Sequence, residues 1–461
     1  MRASAEISGR STRLVEAGMV ALMVGFSVMS YFDRTIMSIA GPKIIKEFSL
    51  SATQMGWVYS AFILSYAVLM IPGGRLADRF GPWRVLTLMG LGAGLFTGLT
   101  ALGGKTGLGT LVGVFPALFI LRLGFGVSTA PIYPTCGRMN ANWFPVSRRA
   151  RVWGLIAAGA GVGSATSPLL FSWMIGRFGW RLSFLLAGAA TATLALLWLF
   201  YARDHPSEHP ALRPQNIPAS ATENAAEEMR SSVRTPWGRL LADRSLMLLT
   251  AGYFTVAYFE YIFFFWIYYY FQEVRHMGQQ QSAVYTTAPF VAWMVMTPLG
   301  GWASDRISER WGRKIGRRIV PIACLTLGAA LLCLGINLSD PVAVTVVLSF
   351  SLGFASCSDG PYWASAIDVG GKHVGAAGGI LNTGGNLGGF VAPVLTPFIA
   401  ARAGWSWGLY FGSFVMMAGV VAWFFTDPTR AVGEGEGVPV RLGPAGAQNI
   451  KGPLKKKGVE L

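Results

Sequence analysis

Five ionisable residues stand inside long apolar runs of this sequence, where a charge is costly and usually functional: Asp33, Arg34, Arg122, Glu260 and Asp359. The stretch Tyr31-Phe32-Asp33-Arg34 sets two opposite charges side by side. Neighbouring helical residues point about 100° apart, so Arg34 shares a face with Tyr31 while Asp33 turns toward another helix. Arg122 falls on one stripe with Thr129 and Tyr133, at spacings of seven and four. Two arginines from different helices can grip one carboxylate through paired N–H donors. The plainer account is that Arg122 only neutralises Asp33. Glu260 and Asp359 are candidate proton carriers, since a carboxylate withdrawn from water can take up and release a proton. Each has a structural alternative: Glu260 can pair with a loop base, and Asp359 can bond backbone freed by Gly360-Pro361. Asp359 lies one helical turn from Trp363, so the two share a face. Tyr66, Tyr261, Trp363, Asn382 and Asn386 complete a polar and aromatic lining, although the aromatic residues serve equally well as packing or interfacial groups.

The elements that must hold these residues are transmembrane helices. Of 461 residues, 52% are hydrophobic and 13% charged, and mean hydropathy is +0.46. A soluble domain carries about 25% charged residues, so this chain has too few to cover a wet surface. The net charge of +16 raises the question of a nucleic-acid partner. Its placement in short loops between apolar runs argues for topology signals instead. Cys136, Cys324, Cys333 and Cys357 show no metal-ligand spacing and read as small buried residues. His205, His209, His276 and His373 fall in loops and suggest neither a metal nor catalysis. No nucleophile–base pair, phosphate loop or cofactor motif is present, so neither an enzyme nor a cofactor is expected.

A span needs about 20 apolar residues. The sequence predicts helices over 15–40, 53–73, 84–103, 110–137, 150–176 and 180–202, then over 245–271, 283–304, 317–337, 341–366, 373–401 and 405–426. Arginine-rich loops at 75–84, 138–151 and 306–318 alternate with poorer ones, which makes those three loops and both termini cytoplasmic. The expected organisation is a tail over 1–13, a six-helix bundle over 14–202, a linker over 203–244, a second bundle over 245–427 and a disordered tail over 428–461. Lys455-Lys456-Lys457 in that tail could touch anionic lipid, though a solvated tail accounts for it as well.

The halves repeat. Pro72-Gly73-Gly74-Arg75-Leu76-Ala77-Asp78-Arg79 returns as Gly300-Gly301-Trp302-Ala303-Ser304-Asp305-Arg306, with Asp78 and Asp305 separated by 227 positions. Gly159, Gly163, Pro168, Gly179 and Trp180 recur 225 positions on as Gly384, Gly388, Pro393, Gly404 and Trp405. Parallel halves built of apolar segments predict an all-α, twelve-helix transporter of two six-helix bundles related by a pseudo-two-fold axis. Gly74, Asp78, Arg79, Asp305 and Arg306 are then expected to clasp the cytoplasmic face shut and release it on rocking; the alternative is a basic turn that only sets topology. Glycines four apart on the fifth and eleventh helices bring backbones together in lipid.

These stretches resemble the major facilitator superfamily, and within it the anion:cation symporter family. The resemblance runs from about Tyr31 to Asp427 without the linker. It is carried by Tyr31-Phe32-Asp33-Arg34, Ser60-Ala61-Phe62 through Ile71-Pro72-Gly73-Gly74, Ala130-Pro131-Ile132-Tyr133-Pro134, Trp143-Phe144-Pro145 with Arg148-Arg149-Ala150-Arg151, and Gly378-Gly379 through Asn382 to Gly385-Asn386. It implies that Arg34 and Arg122 serve an organic anion, that Asp33 couples protons, and that Tyr31, Tyr66, Trp363 and Asn386 line the cavity; Tyr133, on the stripe of Arg122, is a further candidate for binding substrate. One departure matters: where relatives commonly carry a proton-coupling glutamate, this chain has Thr129. Ala160 stands where sugar-acid transporters are often polar. The expectation is a monomeric inner-membrane protein that imports a sugar acid or other carboxylate by proton symport. The alternatives are an uncoupled facilitator, antiporter or exporter, and more remotely a membrane receptor or enzyme.

Overall fold

Backbone surrounded by lipid must satisfy its own hydrogen bonds. Every long apolar run does so here as a helix, and the described residues contain no strand. The structure, a computed structural model, describes residues 2–104, 107–212 and 237–429. The middle of the expected linker and the tail from 430 onward, with Lys455 to Lys457, lie outside the described residues.

Spans one to three are Arg2–Phe48, Ala52–Phe80 and Pro82–Leu99. The fourth comes in two pieces, Val114–Thr129 and Ile132–Trp143. Helix Val146–Tyr201 carries the fifth and sixth, divided where Gly179 leaves helical geometry at φ 75°. The seventh is Arg244–Tyr269, followed by Gln279–Trp311, Arg313–Asn337 and a two-piece tenth, Pro341–Ser356 with Asp359–Gly370. Val374–Ala403 and Trp405–Phe425 complete the set. Among the described residues nine helices are long and apolar enough to cross a membrane as they stand, and ten with the bent second span. Division at Gly179 adds one, and the polar-ended Gln279–Trp311, packed among the fifth, ninth and tenth spans, is the twelfth.

Several expected boundaries move, each for a local reason. The first helix starts at Arg2 and runs through Pro42 to Phe48, past the 15–40 expected, so the tail over 1–13 is continuous with it. The second span bends by 52° between Met70 and Pro72 and then continues to Phe80. Gly74, Asp78 and Arg79 therefore ride on helix, and Asp305 and Arg306 do so on the eighth span. The true turns are Gly81 and Gly312, at φ 85° and 88°, a conformation that costs glycine little. The fourth span breaks at Ala130-Pro131, because proline supplies no N–H to continue the ladder. It resumes to Trp143 and stops before Pro145, beyond the expected end at 137. The tenth breaks at Cys357-Ser358, which puts Asp359 and Pro361 in the first turn of a new helix.

The repeated glycines set the packing of each half. A Cβ on Gly163 would lie 2.1 Å from the Val28 carbonyl oxygen of the first span, and one on Gly388 would lie 2.1 Å from that of Phe254 on the seventh. Gly159 faces the Val24 carbonyl and Gly384 that of Thr250 in the same way. One contact thus recurs in both bundles. Gly163→Leu and Gly388→Leu must each push backbone from backbone, at a cost of about 3 kcal/mol or more. Both variants are expected to lose the monodisperse peak on size-exclusion chromatography, while Gly301→Leu, at a half-buried position where a Cβ would meet nothing within 4 Å, keeps it. A normal peak for Gly163→Leu would refute this account of the first–fifth pairing.

The linker begins in contact with the first bundle. Trp143 Nε1 donates to the Arg203 carbonyl at 2.9 Å, and Asp204 Oδ1 accepts from the Trp83 backbone N–H at 2.7 Å, capping the third span. The bundles meet through the second and eleventh, the fifth and eighth, and the first and seventh spans.

Candidate functional site

A cavity of about 870 Å³ lies between the bundles. The bent second span supplies Tyr66, Met70, Gly74 and Asp78, one side of a helix at repeated spacings of four. The first span contributes Tyr31 and Arg34, as their three-residue spacing requires. Across the gap stand Tyr253, Glu260, Tyr261 and Phe264 of the seventh span, Trp293 of the eighth, Asp359 and Trp363 of the tenth, and Asn382 and Asn386 of the eleventh.

Arg34 is the cation of the cavity floor, only 4% exposed. Its guanidinium lies 4.4 Å from the Tyr31 ring centroid and 5.1 Å from that of Tyr66, and Nη1 donates to Tyr261 Oη at 3.2 Å. These rings are π faces and a hydroxyl, which orient the guanidinium without neutralising it. Nε and Nη2 are buried without a hydrogen-bond partner, and among the described residues no carboxylate is paired with Arg34. Such a group favours an anion held by two parallel N–H bonds.

Asp33 faces away from the cavity. Its Oδ2 accepts from Thr191 Oγ1 of the sixth span at 2.7 Å, and Arg122 is the cation that acts on it.

Arg122 departs from the expected geometry. It is 1% exposed, lies off the cavity wall, and points Nη1 and Nη2 at the backbone carbonyls of Asp33 and Arg34, each at 3.4 Å. A single stripe through Arg122, Thr129 and Tyr133 requires one unbroken helix over 110–137. The break at Ala130-Pro131 turns Tyr133 into the cavity and leaves Arg122 and Thr129 in the packing. The two-arginine grip on one ligand is therefore not formed; Arg122 braces the first span behind Arg34. Thr129 bonds its own helix, donating to the Phe125 carbonyl at 2.9 Å.

The cavity runs toward the face that bears the 75–84 segment, where Gly74, Arg75 and Asp78 form its rim. Among the described residues no clasp closes that face. Asp78 lies 3.9 Å from Arg138 in the first bundle and Asp305 is 2.7 Å from Arg317 in the second, so neither pair crosses between them. Arg306 pairs with Glu309 at 3.1 Å on its own helix, and Arg79 covers the Phe80 ring. With the cavity open at this rim, none of these side chains reaches the other half.

The opposite face is shut across the bundles. Ser60 Oγ donates to the Phe390 carbonyl at 2.6 Å, Tyr59 stacks on Phe265 at 5.0 Å, and Gln279 Nε2 donates to the Ser172 carbonyl at 2.8 Å. Lys46 and Glu273 form an ion pair at 2.9 Å on its rim.

Sequence reasoning missed Tyr253 and Trp293. Tyr253 was reachable by tracing the helical stripe back from Glu260 through Ala257. Trp293 carried no signal beyond being an aromatic residue in an apolar helix; what marks it is the bond from its Nε1 to Glu260 Oε1 at 3.1 Å.

Comparison with known proteins agrees with this architecture. The Major Facilitator Superfamily profile matches residues 23–311 and 307–457. A probable sulfoacetate transporter of Cupriavidus necator is 30% identical, over 91% of this chain and 95% of its own. The hexuronate transporter of Bacillus subtilis is 28% identical over 85% of this chain and 89% of its own. A bacterial homologue of the human lysosomal transporter Spinster, solved inward-facing and occupied, superposes with a TM-score of 0.71 over 89% of this chain and 96% of its own at 16% identity. The D-xylose–proton symporter does so with a TM-score of 0.68 over 89% and 98% at 15% identity. The chain is a multi-pass membrane transporter, not an enzyme, and belongs to the Major Facilitator Superfamily.

Proposed function

We infer that this protein imports a small organic anion by proton symport across the bacterial inner membrane, with both termini in the cytoplasm and the monomer as the working unit. The observation that carries this reading is Arg34, a cation on the floor of an inter-bundle cavity whose Nε and Nη2 have no partner. Relatives named for sulfoacetate and hexuronate support a carboxylate or sulfonate as the group it holds. By the charge rule the open rim is cytoplasmic, so the cavity is drawn inward-facing. Asp33 is the coupling carboxylate: its helix also carries Arg34, so a change in its bond to Thr191 can move the anion site. Glu260 and Asp359 are the other candidate carriers. In proteoliposomes clamped in voltage, whichever of a panel of labelled small carboxylates and sulfonates the protein binds is expected to accumulate above equilibrium only under an inward proton gradient. Asp33→Asn is expected to abolish that accumulation while retaining exchange of labelled for unlabelled anion. Accumulation by Asp33→Asn equal to wild type would remove Asp33 from the coupling.

A second reading, an uncoupled facilitator or exchanger, is favoured by Thr129, a side chain without an acidic proton. On that reading the gradient changes neither the rate nor the extent of uptake.

A further inference from the structure

The wall facing Arg34 is acidic and aromatic. Glu260, 8% exposed, and Asp359 line the same cavity and repel each other. Among the described residues neither is acted on by a cationic side chain; Glu260 Oε1 accepts from Trp293 Nε1, and Asp359 Oδ1 is buried without a partner. Aromatic faces surround them. Trp293 stacks on Tyr31 at 6.2 Å and meets Phe264 edge-on at 5.7 Å, while Trp363 donates to Tyr253 Oη at 3.2 Å.

We propose that the cavity binds a zwitterion, with Arg34 holding a carboxylate or sulfonate and Glu260 and Asp359, within this aromatic wall, holding an alkylated ammonium. This rests on Arg34 as the anion site and narrows the substrate to organic acids that also carry a cationic nitrogen. The chemistry is complementary at both ends. Carboxylates supply the opposite charge, and the π faces of tryptophan and tyrosine favour an ammonium whose methyl groups prevent ordinary hydrogen bonding. A dianion, or a simple acid with a bulky apolar end, meets two carboxylates that find no counter-charge, so the same wall selects against it. The assignment leaves proton coupling to Asp33, which lies outside the cavity.

The test uses full-length protein in detergent at pH 7 and isothermal titration with three probes. Glycine betaine and 3,3-dimethylbutyrate share shape and carboxylate and differ in a quaternary nitrogen against a quaternary carbon; sulfoacetate is the dianion. Betaine is expected to bind at least 10-fold tighter than either of the others. In the Glu260→Gln/Asp359→Asn variant betaine should weaken at least 10-fold while 3,3-dimethylbutyrate binds more tightly, a gain that a misfolded variant cannot show. Equal or tighter binding of 3,3-dimethylbutyrate or sulfoacetate by wild type overturns the proposal, as does no binding of betaine or a preference that survives the double substitution. Arg34→Ala separates the two readings. If the tightest-bound probe binds it undiminished, the anion site itself is misassigned; if that probe is lost but proves to be sulfoacetate, the anion reading stands and the zwitterion falls.

Discussion

Replacing Arg34 with alanine is expected to remove saturable anion uptake, with at least a 100-fold loss of ligand affinity and no loss of protein from the membrane. The guanidinium is fixed before any ligand arrives, by the Tyr31 and Tyr66 faces and the Tyr261 hydroxyl, so little ordering remains to be done on binding. Its two unpartnered nitrogens, Nε and Nη2, can then meet a carboxylate or sulfonate in paired bonds. Removing one partner of a buried, hydrogen-bonded charge pair costs about 2–5 kcal/mol, which corresponds to a factor of 100 at about 2.8 kcal/mol. Stability should not suffer in proportion, because Arg34 has no carboxylate partner to orphan and its own desolvation is relieved. Arg34→Lys separates charge from geometry. A lysine restores the charge but offers a point donor instead of a fork, so it is expected to recover no more than a tenth of wild-type affinity. Arg122→Ala should instead act through the first span, leaving its carbonyls at Asp33 and Arg34 without their brace and lowering thermal stability along with uptake. Normal uptake by a membrane-inserted Arg34→Ala protein would end the assignment.

How much of this was legible depends on how local each signal is. The repeat was fully visible, because the glycines that pack the first span on the fifth must recur where the seventh packs on the eleventh. The divergence of Asp33 from Arg34 followed from helical geometry alone, and the cavity receives one and the Thr191 side of the bundle the other. Arg122 was misplaced because a stripe assumes an unbroken helix, and Pro131 breaks it. Around Asp78 and Asp305 the run of charges suggests a loop, yet helix continues through it until a glycine can take positive φ. Which face such residues close depends on the relative tilt of the bundles, and no sequence window holds that. The acidic wall is the intermediate case. Glu260 and Asp359 were conspicuous singly, but that they share one wall opposite Arg34 is a property of two bundles in contact.

Gly56→Trp is expected to abolish net transport while leaving ligand binding within threefold of wild type. Gly56, on the second span, packs against the eleventh at the shut face, and a Cβ there would lie 2.1 Å from the Pro393 carbonyl oxygen. The obstacle is backbone of the other bundle, so the only relief is separation of the halves. Ser60 and Tyr59, one turn along, close on Phe390 and Phe265 in the same seam. A clash of about 3 kcal/mol, the upper part of the overpacking range, shifts the ratio of shut to open forms by on the order of 100-fold. The Arg34 floor lies deeper and loses no ligand group, which is why binding persists when cycling stops. Gly56→Ala, with one methyl against the same carbonyl, should give a partial defect. The Lys46–Glu273 pair on this rim is a poor candidate for the main latch. Lys46 is 66% exposed, and an exposed pair contributes at most about 1 kcal/mol, so Lys46→Ala should leave uptake within a fewfold of wild type. The decisive readout is Ser60→Cys in a background lacking the four native cysteines, since residue 60 is fully buried in the shut seam. In Gly56→Trp it should react with a membrane-impermeant maleimide that leaves the parent untouched. Normal uptake together with an unreactive residue 60 would mean that this seam stays packed throughout transport, and that the bundles do not rock about the floor that holds Arg34.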